Sequence, residues 1–89
     1  MILSPENALL EVKRIIEGLT SVPVSELRDE ELISDVLAGD SLSFVECKVA
    51  LELRFAISLD SVDWKDIDTI RSMAVYVSTV VSDRDKHSD

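Results

Sequence analysis

The sequence has few of the residues that build turn-rich, disulfide-bonded or aromatic structures. Only two glycines and two prolines occur in 89 residues, which argues against a β architecture with many tight turns. The single cysteine excludes an internal disulfide and a metal site built from several cysteines. Aromatic residues make up 4% and hydrophobic residues 46%, so we expect one all-α domain with an aliphatic core and no bound metal.

Positive charge and long apolar runs are also scarce. Nine Lys and Arg stand against 18 Asp and Glu, giving a formal net charge of −9. This charge opposes binding to nucleic acid and to anionic membranes, and it favours a partner protein with a basic surface. No apolar run approaches the roughly 18 residues that span a bilayer, and no leader peptide is recognisable, so the expected location is cytoplasmic.

Hydrophobic periodicity predicts a bundle of three main helices and one short helix, with a long first loop. The first helix begins at Ser4-Pro5-Glu6, because serine caps a helix and proline suits its first position, and Gly18 points to its end. Residues 20–40 read as the loop, with a helical turn near 25–28. The apolar residues expected to fix this loop to the bundle are Val22, Val24, Leu27, Leu32 and Ile33.

The second half of the chain contains the remaining helices. The second main helix covers residues 41–55, a short helix lies near 62–66, and the last runs from about Thr69 to Val80 with Asp68 or Thr69 as its cap. We expect these helices to form a single domain over residues 1–81. Residues 82–89 are polar and lack apolar periodicity, so we expect a disordered tail.

The helix over residues 41–55 is apolar on two sides. At 100° per residue, one stripe contains Phe44, Cys47, Leu51 and Phe55, and a second contains Leu42, Val45, Val49 and Leu53. We assign the first stripe to the core, where Cys47 acts as a small hydrophobe. The second stripe, in whole or part, is then a docking surface.

The tetrapeptide Gly39-Asp40-Ser41-Leu42 joins the loop to this helix. Backbone N–H groups of a first helical turn and the positive end of the helix dipole favour an anion, so Ser41 is well placed to carry a phosphate-linked group. The simpler reading is an ordinary helix cap, which is what most Asp-Ser pairs before a helix are. The surrounding sequence has to decide between them.

The run from Asp35 to Glu46, followed by Val49 to Phe55, resembles the acyl carrier protein family, including peptidyl and aryl carrier domains. The resemblance extends over roughly residues 5–80. It implies that Ser41 carries a 4′-phosphopantetheine arm, added from coenzyme A by a phosphopantetheinyl transferase. The thiol of that arm would hold acyl or aminoacyl groups as thioesters for a loading enzyme and for downstream synthases and transferases.

The resemblance also assigns roles to neighbours of the serine. Asp40 would help the transferase and its Mg²⁺ engage Ser41, besides capping the helix. Partner enzymes would contact the apolar and acidic residues that follow, namely Leu42, Val45, Glu46 and Val49. A carried group could be shielded in a gap of the core lined by Phe44, Cys47, Leu51, Phe55 and Ile67.

Two departures from the family pattern narrow the expectation. Ala38 stands where carriers of fatty acid synthesis usually have glycine, and the Ala-Gly-Asp-Ser-Leu run lies close to that of peptidyl and aryl carriers. Lys48 and Arg54 interrupt a helix that is markedly acidic in housekeeping carriers. We therefore hypothesise a free-standing, monomeric carrier for a dedicated biosynthetic pathway.

An enzyme is the least favoured class. His87 is the single histidine and lies in the polar tail, so a Ser-His-Asp mechanism has no base and Ser41 has no visible activator. Trp64 is expected to pack near the arm, or else to anchor a partner. Alternatives to the acyl carrier are a peptidyl or aryl carrier and an unmodified helical adaptor that binds a partner through its exposed stripe.

Overall fold

The computed structural model describes residues 3–38, 41–60 and 67–86. Its α-helices are α1 (Pro5–Thr20), α2 (Ile33–Val36), α3 (Ser41–Phe55) and α4 (Ile70–Lys86), and a 3₁₀ turn covers Val24–Glu26. No strand occurs in these ranges, so the predicted all-α bundle with three main helices is confirmed. The short helix that the sequence places near 62–66, together with Trp64, lies outside the described residues.

The first helix begins as its sequence predicts. The Ser4 hydroxyl accepts a hydrogen bond from the Asn7 N–H at 3.2 Å, and Pro5 occupies the first helical position. The helix continues past Gly18 to Thr20, where Ser21 adopts a left-handed conformation with φ of 65°. A glycine with open space around it does not by itself end a helix, so the helix is two residues longer than Gly18 indicates.

The core lies where α1 meets α3 and α4. It is aliphatic, as composition predicts, and one buried cysteine and one methionine contribute to it. Phe44, Phe55 and Tyr76 pack against it from partly buried positions. The buried apolar side chains are Ala8, Val12, Ile16, Leu27, Ile33, Leu37, Cys47, Leu51, Leu59, Ile67, Ile70, Met73, Ala74, Val77 and Val81.

The long first loop is ordered by apolar residues that only partly match the prediction. Leu27 and Ile33 are buried and Val22 packs against the core, but Leu32 is exposed, so its predicted role in fixing the loop is wrong. Leu37 is buried instead. The short helix α2 explains the difference, because positions four residues apart share one helical face and Leu37 therefore follows Ile33 inward.

Hydrogen bonds attach this loop to the start of α4. The Ile33 N–H donates to the Asp68 carbonyl at 2.7 Å, and the Ile70 N–H donates to the Glu31 carbonyl at 3.0 Å. The Arg71 N–H donates to the Asp29 carbonyl at 2.8 Å. First-turn N–H groups of α4 are thus satisfied by loop carbonyls, which is how a long loop stays ordered in a small domain.

Ionic contacts strengthen the same junction. Asp29 accepts from Lys13 of α1 at 2.6 Å and from Arg71 of α4 at 2.8 Å, and Arg71 also contacts Glu30 at 2.6 Å. The hydrogen bond from Lys13 is the main cause that lowers the pKa of Asp29. The loop is therefore tied to two of the main helices at once.

The start of α4 agrees with the sequence prediction, but its end does not. Its start is as predicted: Thr69 and Ser72 exchange hydrogen bonds, each hydroxyl accepting from the other's N–H at 3.0 Å. Its end is not. The helix continues to Lys86, so the predicted disorder from residue 82 is wrong for residues 82–86, because Val81 is buried and extends the apolar face of α4. Residues 87–89, which include His87, lie outside the described residues.

Candidate functional site

Ser41 is the first residue of α3, and its side chain is exposed. The helix that follows has 15 residues, so its backbone dipoles add up over four turns toward this end. Gly39 and Asp40 lie outside the described residues, and the role assigned to Asp40 stays a prediction. An exposed hydroxyl at this place is sterically accessible to a modifying enzyme.

A stripe of exposed apolar side chains runs from Ser41 along α3. Leu42 is 64% exposed, Val45 52%, Val49 45% and Leu53 78%. At 100° per residue these four residues, here called the exposed stripe, occupy about 80° of the helix circumference. The exposed Glu46 lies beside it. The helix therefore presents a continuous apolar surface to solvent.

The opposite side of α3 faces the core. Cys47 and Leu51 are fully buried, and Phe44 and Phe55 are half-buried against the core. Burial raises the pKa of the Cys47 thiol to about 11, so this thiol is protonated at neutral pH and is a poor nucleophile. The side of α3 assigned to the core by sequence is the buried one.

One cavity of about 550 Å³ opens along α4. Among the five residues predicted to shield a carried group, Ile67 lines it, whereas Phe44, Cys47, Leu51 and Phe55 are not among its described lining residues. The predicted gap thus stays a prediction. The described lining consists of Ile67, Thr69, Arg71, Ser72, Val75, Tyr76 and Thr79.

Sequence reasoning did not single out Tyr76, which is half-buried and lines this cavity. The signal was available, because Tyr76 lies three residues after Met73 and four before Val80, on one helical face. Its phenol ring is also the single tyrosine of an aromatic-poor chain. A tyrosine at such a position offers an apolar ring with a polar tip at the rim.

The charged side chains of α3 near the stripe are engaged within the molecule. Lys48 Nζ contacts the Asp60 carboxylate at 2.8 Å, and the hydrogen bond raises the pKa of Lys48. The Glu52 carboxylate accepts from the N–H of the buried Leu59 at 2.8 Å. Both contacts hold the segment after α3 against the helix.

Arg54 near the end of α3 connects the helix to α1. Its Nε contacts the Glu11 carboxylate at 2.8 Å, and Arg14 contacts the same carboxylate at 3.2 Å. The hydrogen bond from Arg54 lowers the pKa of Glu11 below its ordinary value of 4.5. Beyond α3, Arg84 donates to the carbonyls of Phe55 and Ala56, which closes the end of the helix.

Ala38 has a backbone conformation that favours glycine. Its φ is 55°, in the left-handed region, as is that of Ala56 at 54°. A side chain at such a φ costs roughly 1–2 kcal/mol that glycine avoids. The chain therefore reaches α3 through a turn that glycine would adopt more readily.

Comparison with known proteins decides the family. A family model described as phosphopantetheine attachment site matches residues 11–77. An acyl carrier protein of Acidothermus cellulolyticus is 32% identical over 88% of this chain and 93% of its own length. One of Thermobifida fusca is 31% identical over 86% of this chain and 98% of its own. The chain belongs to the acyl carrier protein family.

Membership of this family has direct consequences for this chain. Acyl carrier proteins are carriers and not enzymes, and their prosthetic group is 4′-phosphopantetheine, so both predictions are confirmed. A more distant match is a meromycolate extension acyl carrier protein of Mycobacterium leprae, 29% identical over 86% of this chain and 67% of its own length. Of the helices described here, none is long and apolar enough to cross a membrane.

The residues around Ser41 fit the prosthetic group of an acyl carrier protein. When bound, the group supplies a flexible arm with a terminal thiol that holds acyl groups as thioesters. Ser41 would hold it through an exposed hydroxyl, and the start of α3 favours the negative charge of a phosphodiester. Within the described ranges no group of His, Cys, Asp and Glu could hold a metal ion.

Proposed function

We propose that this protein is a free-standing carrier whose Ser41 takes the 4′-phosphopantetheine arm and presents acyl or aminoacyl thioesters to the enzymes of a dedicated biosynthetic pathway. One observation carries the proposal. Ser41, which lies within the region matched by the attachment-site model, is the exposed first residue of a 15-residue helix and is followed by exposed apolar residues. A buried Ser41 hydroxyl would have ruled out this proposal.

Different residues of the chain act in arm attachment and in partner binding. Ser41 supplies the hydroxyl oxygen that attacks the pyrophosphate of coenzyme A, with release of adenosine 3′,5′-bisphosphate, and the transferase takes the proton. The start of α3 stabilises the phosphodiester that remains. Partner enzymes bind Leu42, Val45, Glu46 and Val49, of which all four are exposed.

The relatives favour acyl cargo over aminoacyl or aryl cargo. The Acidothermus and Thermobifida proteins are named acyl carrier proteins, and the Mycobacterium protein serves meromycolate extension. The dedicated pathway is supported by Lys48 and Arg54 on a helix that is acidic in housekeeping carriers. Efficient use of this protein by general fatty acid synthase enzymes would contradict that part.

Intact-mass measurement tests the attachment. The protein is incubated with coenzyme A, Mg²⁺ and a transferase of broad specificity, and we expect a gain of one phosphopantetheine. Ser41→Ala should abolish the gain, whereas the matched variant Ser43→Ala, two residues along the same helix, should retain it. No gain under conditions that modify another acyl carrier protein would select the unmodified helical adaptor instead.

A further inference from the structure

The middle of α4 carries no charge on any side. From Ser72 to Ser82 the sequence has no Asp, Glu, Lys or Arg, whereas α1 carries five charged residues and α3 carries four. This uncharged segment makes about three helical turns. A helix on the surface of a globular protein normally places charged and polar side chains on the side opposite the core. The outer side of α4 departs from that rule.

The outer side of α4 is partly open to solvent. It is formed by four residues, here called the α4 face, which span about 100° of the helix circumference: Ser72, Val75, Tyr76 and Thr79. Val75 is 46% exposed and Thr79 is also exposed, whereas the other two are half-buried. The cavity of about 550 Å³ opens along this face, and all four residues line it.

The Ser72 and Thr79 hydroxyls of the α4 face bond to the backbone of their own helix. Ser72 Oγ donates to the Thr69 carbonyl at 2.9 Å, with the Asp68 carboxylate farther away at 3.4 Å. Thr79 Oγ1 donates to the Val75 carbonyl at 2.9 Å. A hydroxyl hydrogen that is used in this way is not available to another molecule. These two side chains therefore add mainly carbon surface to the α4 face.

Carboxylates lie at both ends of the α4 face. At its start, Asp68 and Glu30 are exposed. At its end, Asp83 is exposed and lies within about 30° of the centre of the face. Neither Asp68 nor Asp83 forms an ion pair with another described residue. An apolar strip of helix is thus bounded by negative charge.

The arginines near these two ends are already bound within the molecule. Arg71 contacts Glu30 at 2.6 Å and Asp29 at 2.8 Å. Arg84 lies about 130° from the centre of the α4 face and donates to carbonyls at the end of α3. These guanidinium groups therefore do not supply the cations that would complement Asp68 and Asp83.

We propose that the α4 face is a second docking surface, which binds an amphipathic helix of a partner protein with a cationic side chain near each end. Asp68 and Asp83 are fifteen residues apart, which is about 22 Å along a helix axis. The two cations of the partner are spaced accordingly, by about four helical turns. Apolar side chains between them enter the cavity along α4.

Charge opposes two other occupants of the α4 face. An antiparallel pair of two copies would put Asp68 of one copy beside Asp83 of the other, and a parallel pair would put identical carboxylates together. Each copy also carries a formal charge of −9, so two copies repel each other. Anionic lipid meets the same repulsion. A helix with basic ends meets neither obstacle.

The α4 face is separate from the surface around Ser41. Both α3 and α4 pack on α1 and bury their inner sides in one core, so the exposed stripe and the α4 face point in different directions. A helix that is bound to α4 leaves the Ser41 hydroxyl accessible. The α4 face therefore suits a protein that retains the carrier while enzymes act on its arm, which goes beyond the proposed function.

A synthetic peptide tests the proposal on the full-length protein. The probe is a helix-forming peptide of about 18 residues with a leucine and alanine face and two lysines about 22 Å apart. Its isomer has the same composition with both lysines in the middle. Fluorescence anisotropy measures the Kd of each peptide, and amide chemical shifts of the labelled protein locate the site. We expect the probe to shift amides of α4 and to bind at least about threefold more tightly than the isomer.

Substitutions on the α4 face give the sharpest readout. Val75→Asp should raise the Kd of the probe about tenfold or more, because it puts a charge into an apolar contact. Thr79→Asp, one turn further along, should act in the same direction. Leu10→Asp is the matched control, since this leucine of α1 is 40% exposed against 46% for Val75. Its Kd should stay within about twofold of wild type, and circular dichroism verifies that all three variants are helical.

Two further measurements test the charge and the independence of the site. Asp83→Asn should raise the Kd of the probe about twofold to fivefold, as loss of one exposed ion pair predicts. Saturating probe should leave kcat/KM for arm transfer to Ser41 within about twofold of its value without the probe. A transferase of broad specificity serves for this assay.

Several results would overturn the proposal. Equal binding of the two peptides, or equal losses in Val75→Asp and Leu10→Asp, would show that the α4 face does not recognise the probe. Strong inhibition of arm transfer by the probe would place its site beside Ser41. A dimer of the protein that Val75→Asp dissolves would assign the α4 face to a second copy. All of these leave the proposed function intact, whereas failure of arm transfer without any probe would remove the proposed function and leave the α4 face unaffected.

Discussion

The two sides of α3 are both apolar, but one is buried and the other is exposed. Cys47 and Leu51 are fully buried, whereas Leu42 and Leu53 are more than half exposed on the same helix. In an isolated helix that is apolar on both sides, nothing favours the burial of one side over the other. Packing of Cys47 and Leu51 into the core, beside α1, makes the choice, so the buried side supports stability and the exposed side is left for other molecules.

The largest expected effect tests this division directly. Leu51→Ala should lower the free energy of unfolding by about 2–4 kcal/mol, because it removes a fully buried side chain and leaves a cavity. Leu53→Ala, the same change two residues later, should cost less than about 0.5 kcal/mol. Urea unfolding of both variants measures the difference. Equal losses would mean that the two sides are not energetically distinct.

A smaller effect separates the two glutamates of α3. Glu52→Ala should cost about 1–2 kcal/mol, because the N–H of Leu59 would lose its acceptor in a partly buried place. Glu46→Ala, whose carboxylate is exposed, should be near neutral for stability. The same unfolding measurement checks both. A Glu52→Ala protein as stable as the wild type would show that the bond to Leu59 contributes little to folding.

The smallest effect concerns the ion pair between Arg54 and Glu11, which connects α3 to α1. The pKa of Glu11 is lowered in the folded protein by Arg54, so this contribution is complete above pH 4.5 and disappears as the pH falls through the lowered pKa. Glu11→Gln should therefore cost at most about 1 kcal/mol at pH 7 and less near pH 3. Unfolding curves at both pH values test it, and a cost that is larger in acid would contradict the sign.

How much of this could be predicted depends on the range of the interactions involved. The cap at Ser4, the bounds of α3 and the reciprocal bonds near Thr69 follow from local sequence, since capping and periodicity act within a few residues. The burial of Leu37 in place of Leu32 was not predicted, because it depends on a short helix that the periodicity analysis did not identify. The length of α4 was underestimated because polar residues after Val81 hide its helical continuation.

The candidate site shows the same limit. Ser41 and the exposed stripe were recognisable from a short motif and a helical period, both of them local. The use of Lys48, Glu52 and Arg54 was not, because their partners Asp60, Leu59 and Glu11 lie up to 43 residues away in sequence. The sequence places these charges on the surface of α3 but does not show their partners within the molecule.

The amino-acid sequence by itself determined an all-helical acyl carrier protein with a serine at the start of its second long helix, because helix periods, caps and the attachment motif are encoded in neighbouring residues. Only the tertiary structure decided which residues of the first loop are buried and which partners the charges of that helix have within the molecule. Those outcomes depend on packing and hydrogen bonding between segments distant in the chain, which no local pattern contains.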